Sequence, residues 1–383
     1  MTAPTVPDDP ADLGERLASL PGLDRVREAA GELPVYLVGG AVRDLLLGRE
    51  RADLDLVIEG DVEELAGRLG GEVVAHERFA TAKLSVGEIE LDLAGARAEE
   101  YPRPGALPEV RPSTLAGDLA RRDFTINAMA VPLQGEPEVI DPHGGRADLE
   151  RGLLRVLHER SFTDDPTRAL RAARYATRFG FAVEPETERL LRAADLDTVS
   201  VDRIEAELLR LAAEPDPRAG FELLAGWGLL DLRDGVGALI DAVVALLEQP
   251  PWEGTVDRAL AVHAAVTGRA PGAAGRLRDL LASARALAAA SPQRPSEAVD
   301  LVRGHGEIEL VLARAVGAEW LDRYLTEWSS VRLEITGEDL LAAGIPEGPA
   351  LGRGLSEALR RKLDGEVSGR DAELRVALEA ARE

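Results

Sequence analysis

Two aspartates one residue apart lie in Arg51-Ala52-Asp53-Leu54-Asp55-Leu56-Val57-Ile58, shortly after Val38-Gly39-Gly40-Ala41-Val42-Arg43-Asp44. Successive side chains of a strand point to opposite faces. Asp53 and Asp55 therefore share one face while Leu54 and Leu56 enter a core. The upstream segment reads as a strand, a glycine turn and a helix with an arginine in its first turn. Two carboxylates held side by side are poorly tolerated without a cation, and hard oxygen ligands of this kind suit Mg²⁺.

The spacing around this unit predicts a mixed α/β region from about residue 20 to 150. Strands are expected at 35–38, 54–58, 73–75, 82–86 and 88–93, with helices at 41–47 and 62–69, the latter stopped by Gly70-Gly71. Residues 99–118 contain Pro102, Pro104, Gly105 and Pro108 and read as a long, partly mobile loop. The stretch 118–129 reads as leading back into a helix, and Asp141-Pro142-His143-Gly144-Gly145 as a turn. From about 151 onward strand signals fade. Segments 166–179, 185–194, 201–213 and 217–227 have helical apolar spacing, and the rest of the chain is Ala/Leu/Arg/Glu-rich helix. No fixed-period repeat is visible.

Composition narrows the function. The 383 residues suggest two to three domains. Cysteine is absent, which excludes disulfides and thiolate metal sites, and a cytoplasmic location is the default expectation. No stretch is long and apolar enough to cross a membrane. The formal charge of -24 argues against a general nucleic-acid binder. Between Arg151 and Gly180, however, arginines outnumber carboxylates, a local basic strip that allows RNA binding at one place. The five histidines form no dyad and no two-histidine helix motif.

Four constellations carry chemistry. Gly39-Gly40 before a helix lets the backbone approach phosphate oxygens, with Arg43 one turn in; the alternative is a tight turn with a surface arginine. Asp92 is the candidate third carboxylate beside Asp53 and Asp55, and Glu90, on the same strand face, is its rival. In Arg121-Arg122-Asp123-Phe124-Thr125-Ile126-Asn127, Asp123 and Asn127 stand four apart, suited to bind a ribose, with Arg122 near phosphate or base. In Thr163-Asp164-Asp165-Pro166-Thr167-Arg168, Asp165 is a natural N-cap before Pro166. The same carboxylate beside Arg168 also matches a base edge. It accepts from the amino group of cytosine or adenine while the guanidinium donates, and the carbonyl of uracil or guanine meets it unfavourably. Arg168, Arg171 and Arg174 recur every third residue as a basic stripe. Arg203 and Glu207, four apart, read as a structural support pair.

In this order the motifs resemble those of class II tRNA nucleotidyltransferases and bacterial poly(A) polymerases. The resemblance covers about 35–215 strongly, and Ile335-Thr336-Gly337-Glu338-Asp339-Leu340-Leu341 with Gly348-Pro349 extends it over 335–370. It implies an α+β chain: a nucleotidyltransferase head with a mixed sheet and helices like that of DNA polymerase β, then an extended all-α neck, body and tail. The expected divisions are a flexible leader at 1–20, a head at 21–150, a base-recognising helical neck at 151–215 and a tRNA-binding body and tail at 216–383. Asp53 and Asp55 would bind Mg²⁺, with Asp92 as a further catalytic carboxylate. Gly39, Gly40 and Arg43 would hold the triphosphate, and Arg122, Asp123 and Asn127 would contact phosphate and ribose. Asp165 and Arg168, assisted by Arg171 and Arg174, would select CTP or ATP for addition to the 3′ end of tRNA. Asp164 stands where the family usually has Glu, which bears on the support of Arg168. Poly(A) addition to RNA and non-catalytic RNA binding are the alternative functions.

Overall fold

The computed structural model describes residues 10–49, 53–70, 72–76, 81–86, 89–269 and 279–383, with the backbone alone at 10, 11, 53, 72–76, 85, 86 and 89. The chain forms two units, Met1–Asp231 and Leu232–Glu383.

The first unit opens with α1 (Pro10–Ala18) and α2 (Leu23–Ala30). Leu13 and Leu17, one helical turn apart, are buried, and Arg16 donates to the Leu45 and Leu46 carbonyls. Residues 10–18, expected to belong to a flexible leader, are thus a packed helix. Then come β1 (Val35–Val38), α3 (Gly40–Leu46), β2 (Asp53–Ile58) and α4 (Val62–Leu69). The last is closed by Gly70 in the left-handed region, as the Gly70-Gly71 stop predicts, and is N-capped by Asp61. Strands β3 (Glu72–His76), β4 (Thr81–Val86) and β5 (Ile89–Gly95) complete the run.

These strands and β8 (Ala130–Pro132), described below, make a six-stranded sheet in the order β3-β4-β5-β2-β1-β8. Only β2 and β5 run parallel among its pairs, so the sheet is mixed, as expected. Leu54, Leu56, Ile58, Leu91 and Leu93 are buried, the alternation that period-two spacing requires. The opposite face of β2 is divided. Val57 is buried with Val38, Leu115 and Leu119, while Asp55 opens onto a cavity.

Residues 99–118, read as a loop, contain structure. β6 (Arg97–Glu100) pairs antiparallel with β7 (Glu109–Pro112), and α5 (Leu115–Ala120) follows, capped by Thr114. Both strands are four residues long and largely polar, too short and too charged to show alternation. The prolines that suggested a loop sit in the connection between them. The helix expected over 118–129 is also corrected. α5 ends at Ala120, a 3₁₀ turn spans Thr125–Asn127, and β8 follows.

Next are α6 (Gly145–Arg151), β9 (Leu153–Leu154), α7 (Ser161–Asp164) and α8 (Thr167–Phe179). β10 (Ala182–Val183), parallel to β9, leads to α9 (Pro185–Leu191), α10 (Val201–Ala212) and α11 (Pro217–Gly226). α8 is the hub of this region. Its Tyr175 packs edge-on against Phe124 at 5.9 Å and stacks on Phe179 at 6.0 Å.

The second unit is helical, from α12 (Val236–Leu247), α13 (Arg258–Thr267), α14 (Leu280–Ala289) and α15 (Pro295–Val302) to α16 (Glu307–Ala315) and α17 (Trp320–Arg323). It ends in α18 (Gly337–Ala342), α19 (Pro349–Leu363) and α20 (Arg370–Arg382). Trp252 donates to Asp322 at 2.7 Å, and the same carboxylate is gripped by Arg314. The Thr336-Gly337-Glu338-Asp339 motif builds a helix start, with Asp339 accepting from the Thr336 amide at 2.8 Å.

Candidate active site

A cavity of about 690 Å³ lies in the first unit between the polar face of the sheet and α8. Asp55 and Asp92 open onto it from adjacent parallel strands, where their backbones are in direct register; Asp53 pairs with Glu90 in the same ladder. Alternation carries this arrangement, because Leu54, Leu56, Leu91 and Leu93 all turn to the core behind it. Asp92 also meets Lys83 of β4 at 3.3 Å, with both side chains about half exposed. Asp92, rather than its rival Glu90, lines the cavity. The side chain of Asp53 lies outside the described residues. Among those that are described, no three acidic or histidine side chains gather as a metal cluster. The donors on view, carboxylate oxygens on one sheet face, are the hard type that fits a small divalent cation.

Gly39 and Gly40 form the turn from β1 into α3. Gly39 has φ 66° and ψ -130°, and a Cβ there would strike the Arg122 guanidinium. Arg122 therefore sits against the glycine turn, held by Asp118 at 2.8 Å. Arg43 is 3% exposed. Its Nε and Nη2 donate to Asp44 at 2.8 and 3.0 Å and its Nη1 to Asn127 Oδ1 at 2.6 Å, with the guanidinium 4.5 Å from the Phe179 ring centroid. Arg43 lines the cavity, as its expected contact with the triphosphate requires, and its fork is also engaged with protein groups, so that it clamps α3 to the 3₁₀ turn and α8.

Asp123 and Asn127 do meet, although not on one α-helix. Asn127 Nδ2 donates to Asp123 Oδ1 at 3.0 Å across the 3₁₀ turn, and Arg171 pairs with Asp123 Oδ2 at 2.6 Å. Burial pushes the Asp123 carboxyl up, but Arg171, the Asn127 amide and Arg168 outweigh it and hold the group below the ordinary aspartate value. The Arg171 side chain is one-third exposed; packing around it favours its neutral form, yet Asp123 keeps it charged.

Asp165 serves two purposes. Its Oδ1 accepts from the Thr167 amide at 3.1 Å, the Thr167 hydroxyl at 2.6 Å and Arg203 Nη2 at 2.8 Å. None of these three bonds uses Oδ2, and Asp165 lines the cavity, so capping and ligand contact do not compete. Arg168, 4% exposed, donates to Ser161 Oγ at 2.8 Å and to the Arg121 carbonyl at 2.7 Å. Asp164 pairs instead with Arg160 at 2.9 Å, so the shorter acid at 164 does not govern the support of Arg168. The Arg203–Glu207 support pair is corrected. Arg203 goes to Asp165 and the Gly105 carbonyl, and Glu207 to Arg210 and Arg174.

The basic strip divides likewise. Arg168, Arg171, Arg174 and Arg178 face the cavity, while Arg155 and Arg160 are paired with Asp148 and Asp164 outside its lining. Among the described residues, eight arginines and one lysine line the cavity against five carboxylates, a positively charged lining within an acidic chain. Among these, Arg178 belongs to the basic strip read from the sequence, whereas Arg97 and Lys83 were not anticipated as site residues. Arg121 was visible as the neighbour of Arg122; Lys83 and Arg97 carry no local signal.

Comparison with known proteins gives the family of the chain. The family model of the poly(A) polymerase head domain matches residues 35–155, and the model described as a probable RNA and SrmB-binding site of polymerase A matches 180–232. The chain is 38% identical over 366 residues to the CC-adding tRNA nucleotidyltransferase of Deinococcus radiodurans, covering 93% of this chain and 92% of the relative. The chain belongs to the tRNA nucleotidyltransferase family. Within this family it is also 34% identical to the A-adding enzyme of Geobacter sulfurreducens over 91% of its own length, but it spans only 45% of that relative. It spans 51% of the A-adding enzyme of Halalkalibacterium halodurans, at 46% identity. Among solved nucleotidyltransferases, the Thermotoga maritima CCA-adding enzyme complexed with tRNA superposes with a TM-score of 0.74 at 30% identity, over 99% of both chains. A CCA-adding enzyme in complex with CTP gives 0.78 at 30% identity, over 99% of this chain and 100% of that one.

Proposed function

We propose that the protein is a template-independent nucleotidyltransferase that adds C, A or both to the 3′ end of tRNA from CTP and ATP, releasing pyrophosphate. The observation that carries this reading is the meeting, in one positively lined cavity, of the Asp55–Asp92 carboxylate face, the glycine turn at 39–40 and the Asp165–Arg168 pair. The Deinococcus relative, matched over nearly its whole length, and the neighbours solved with CTP, ATP and tRNA support the same assignment.

The reaction follows from the residues. The glycine turn and Arg122 bind the triphosphate, and Arg43 holds that turn in place. Asp123 and Asn127, fixed by Arg171 and Arg43, border the ribose. Asp165 Oδ2 accepts the exocyclic amino group of cytosine or adenine, and Arg168 donates to the neighbouring acceptor, with Arg171 and Arg174 assisting. The oxygen of the primer's 3′-hydroxyl then attacks the α-phosphorus, its proton passing to solvent, and the bond to the bridging oxygen breaks, so that pyrophosphate leaves with the electron pair. Asp53 and Asp55 would hold Mg²⁺, with Asp92 as the further carboxylate beside them. That ion, when bound, supplies Lewis acidity that lowers the hydroxyl's pKa and offsets charge on the phosphates. Residues 216–383 serve as the tRNA-binding body and tail.

The test is to incubate the protein with tRNA lacking its terminal CCA, and separately with an unstructured oligonucleotide, in the presence of CTP, ATP or both. Growth of the tRNA alone is expected, and product size assigns which nucleotides are added. Long A-tails on the oligonucleotide would assign poly(A) polymerase activity instead. No metal-dependent incorporation on either would leave RNA binding without catalysis.

A further inference from the structure

Arg168 is held by a closed circuit of groups, most of them outside its own helix. Its Nη2 donates to the Arg121 carbonyl at 2.7 Å. The Arg121 side chain donates through Nη1 to Glu99 Oε1 at 2.8 Å, and the Tyr101 hydroxyl donates to Glu99 Oε2 at 3.0 Å. The Tyr101 ring closes the circuit, with the Arg168 guanidinium 5.9 Å from its centroid. Arg121 is anchored a second time, by Nε and Nη2 on the fully buried Asp118 at 3.0 and 2.7 Å. Glu99 closes β6 with Glu100, Tyr101 follows that strand, and both residues line the cavity.

An arginine discriminates between bases only if the plane of its fork is fixed, because its long stem otherwise lets the donors follow whichever acceptor is offered. Ser161 and the Arg121 carbonyl hold two of the N–H groups of Arg168. The carbonyl is itself only as fixed as Arg121, and Glu99 ties Arg121 to β6. Burial pushes the Tyr101 phenol above its ordinary value, and nearby Glu99 adds to this against the opposing charge of Arg168, so the hydroxyl remains a donor at working pH.

We propose that Glu99 and Tyr101 are positioning residues for base selection: through Arg121 and the ring face they set the orientation of Arg168, so that discrimination depends on them although neither reads the base. This inference rests on the assignment of Arg168 as the base reader.

The test measures kcat and KM for CTP, ATP, UTP and GTP on tRNA lacking CCA, using the full chain carrying Glu99→Gln, Tyr101→Leu or Tyr101→Phe, with Arg168→Ala as the reference. Glu99→Gln and Tyr101→Leu are each expected to narrow the ratio of cognate to non-cognate kcat/KM by about tenfold, mainly through KM. Tyr101→Phe, which keeps the ring, should recover part of what Tyr101→Leu loses. A purely structural role predicts a lower Tm with an unchanged ratio. That result for Glu99→Gln and Tyr101→Leu, while Arg168→Ala still narrows the ratio, would overturn the inference and leave the base-reading assignment standing. An unchanged ratio in Arg168→Ala would overturn both. If Tyr101→Leu does not fold, Glu99→Gln, which keeps the side-chain volume, decides.

Discussion

Asp123 and Arg171 meet at 2.6 Å in an ion pair, its carboxylate buried and its guanidinium one-third exposed, that ties the 3₁₀ turn after α5 to the middle of α8. The pair links the sheet-bearing part of the cavity to the helix that carries the proposed base readers. Its geometry makes the site's integrity dependent on charge.

The first prediction concerns pH. A carboxyl whose folded value is depressed stabilises the fold above its unfolded value, and the contribution is lost as pH falls through the folded value. Asp123 is in this position, and so is Asp118, where Arg122 and Arg121 outweigh the upward push of burial. Tm should therefore hold at neutral pH and fall below about pH 4. Asp123→Asn should begin about 1–3 kcal/mol less stable, because the buried charge-assisted contact is lost while the partly exposed Arg171 stays solvated, and should show a shallower acid slope. Thermal unfolding against pH checks both, and an equal slope in the variant would rule out the pair as a source.

The second prediction concerns the carboxylate face. Asp55→Ala and Asp53→Ala should each lower nucleotide incorporation by about 10³-fold or more, since the charge stabilisation they organise acts mainly in the transition state. Affinity for tRNA, measured by filter binding, should be nearly unchanged. Substantial incorporation by either variant would remove these residues from the chemistry.

Base selection supplies the third. Arg168→Ala should relax discrimination against UTP and GTP by about 10- to 100-fold, the range expected when a bidentate base contact is lost. Competition between labelled CTP and UTP on the same tRNA measures it. Unchanged discrimination would reduce Asp165 to a helix cap.

The fourth concerns the glycine turn. Gly39→Ala must place a Cβ in the left-handed region and displace the Arg122 guanidinium. The expected cost is about 1–3 kcal/mol of stability together with a raised KM for the nucleotide. A variant with unaltered KM would show that Arg122 does not bind phosphate from this position.

The run β1, α3, β2 and α4 was legible because each element is set by local spacing: alternating Leu54, Leu56 and Ile58, a glycine before α3, Gly70 at the end of α4. The β6–β7 hairpin was not, because its stability comes from pairing across an eight-residue connection rather than from its own composition. Arg203 shows the same limit within the site. Four-residue spacing pointed to Glu207, whereas its bonds go to Asp165 and the Gly105 carbonyl.

By itself the sequence determined that a carboxylate-bearing strand follows a glycine turn, and that α8 begins with an aspartate able to cap it and carries arginines three apart. Those properties need only the period of a strand or helix. Tertiary structure decided which arginines face the cavity and which are spent on carboxylates elsewhere. It placed Arg122 on the glycine turn and engaged Arg43 with Asn127. A guanidinium on a long stem has several carboxylates within reach, and only the packed arrangement of helices and sheet selects among them.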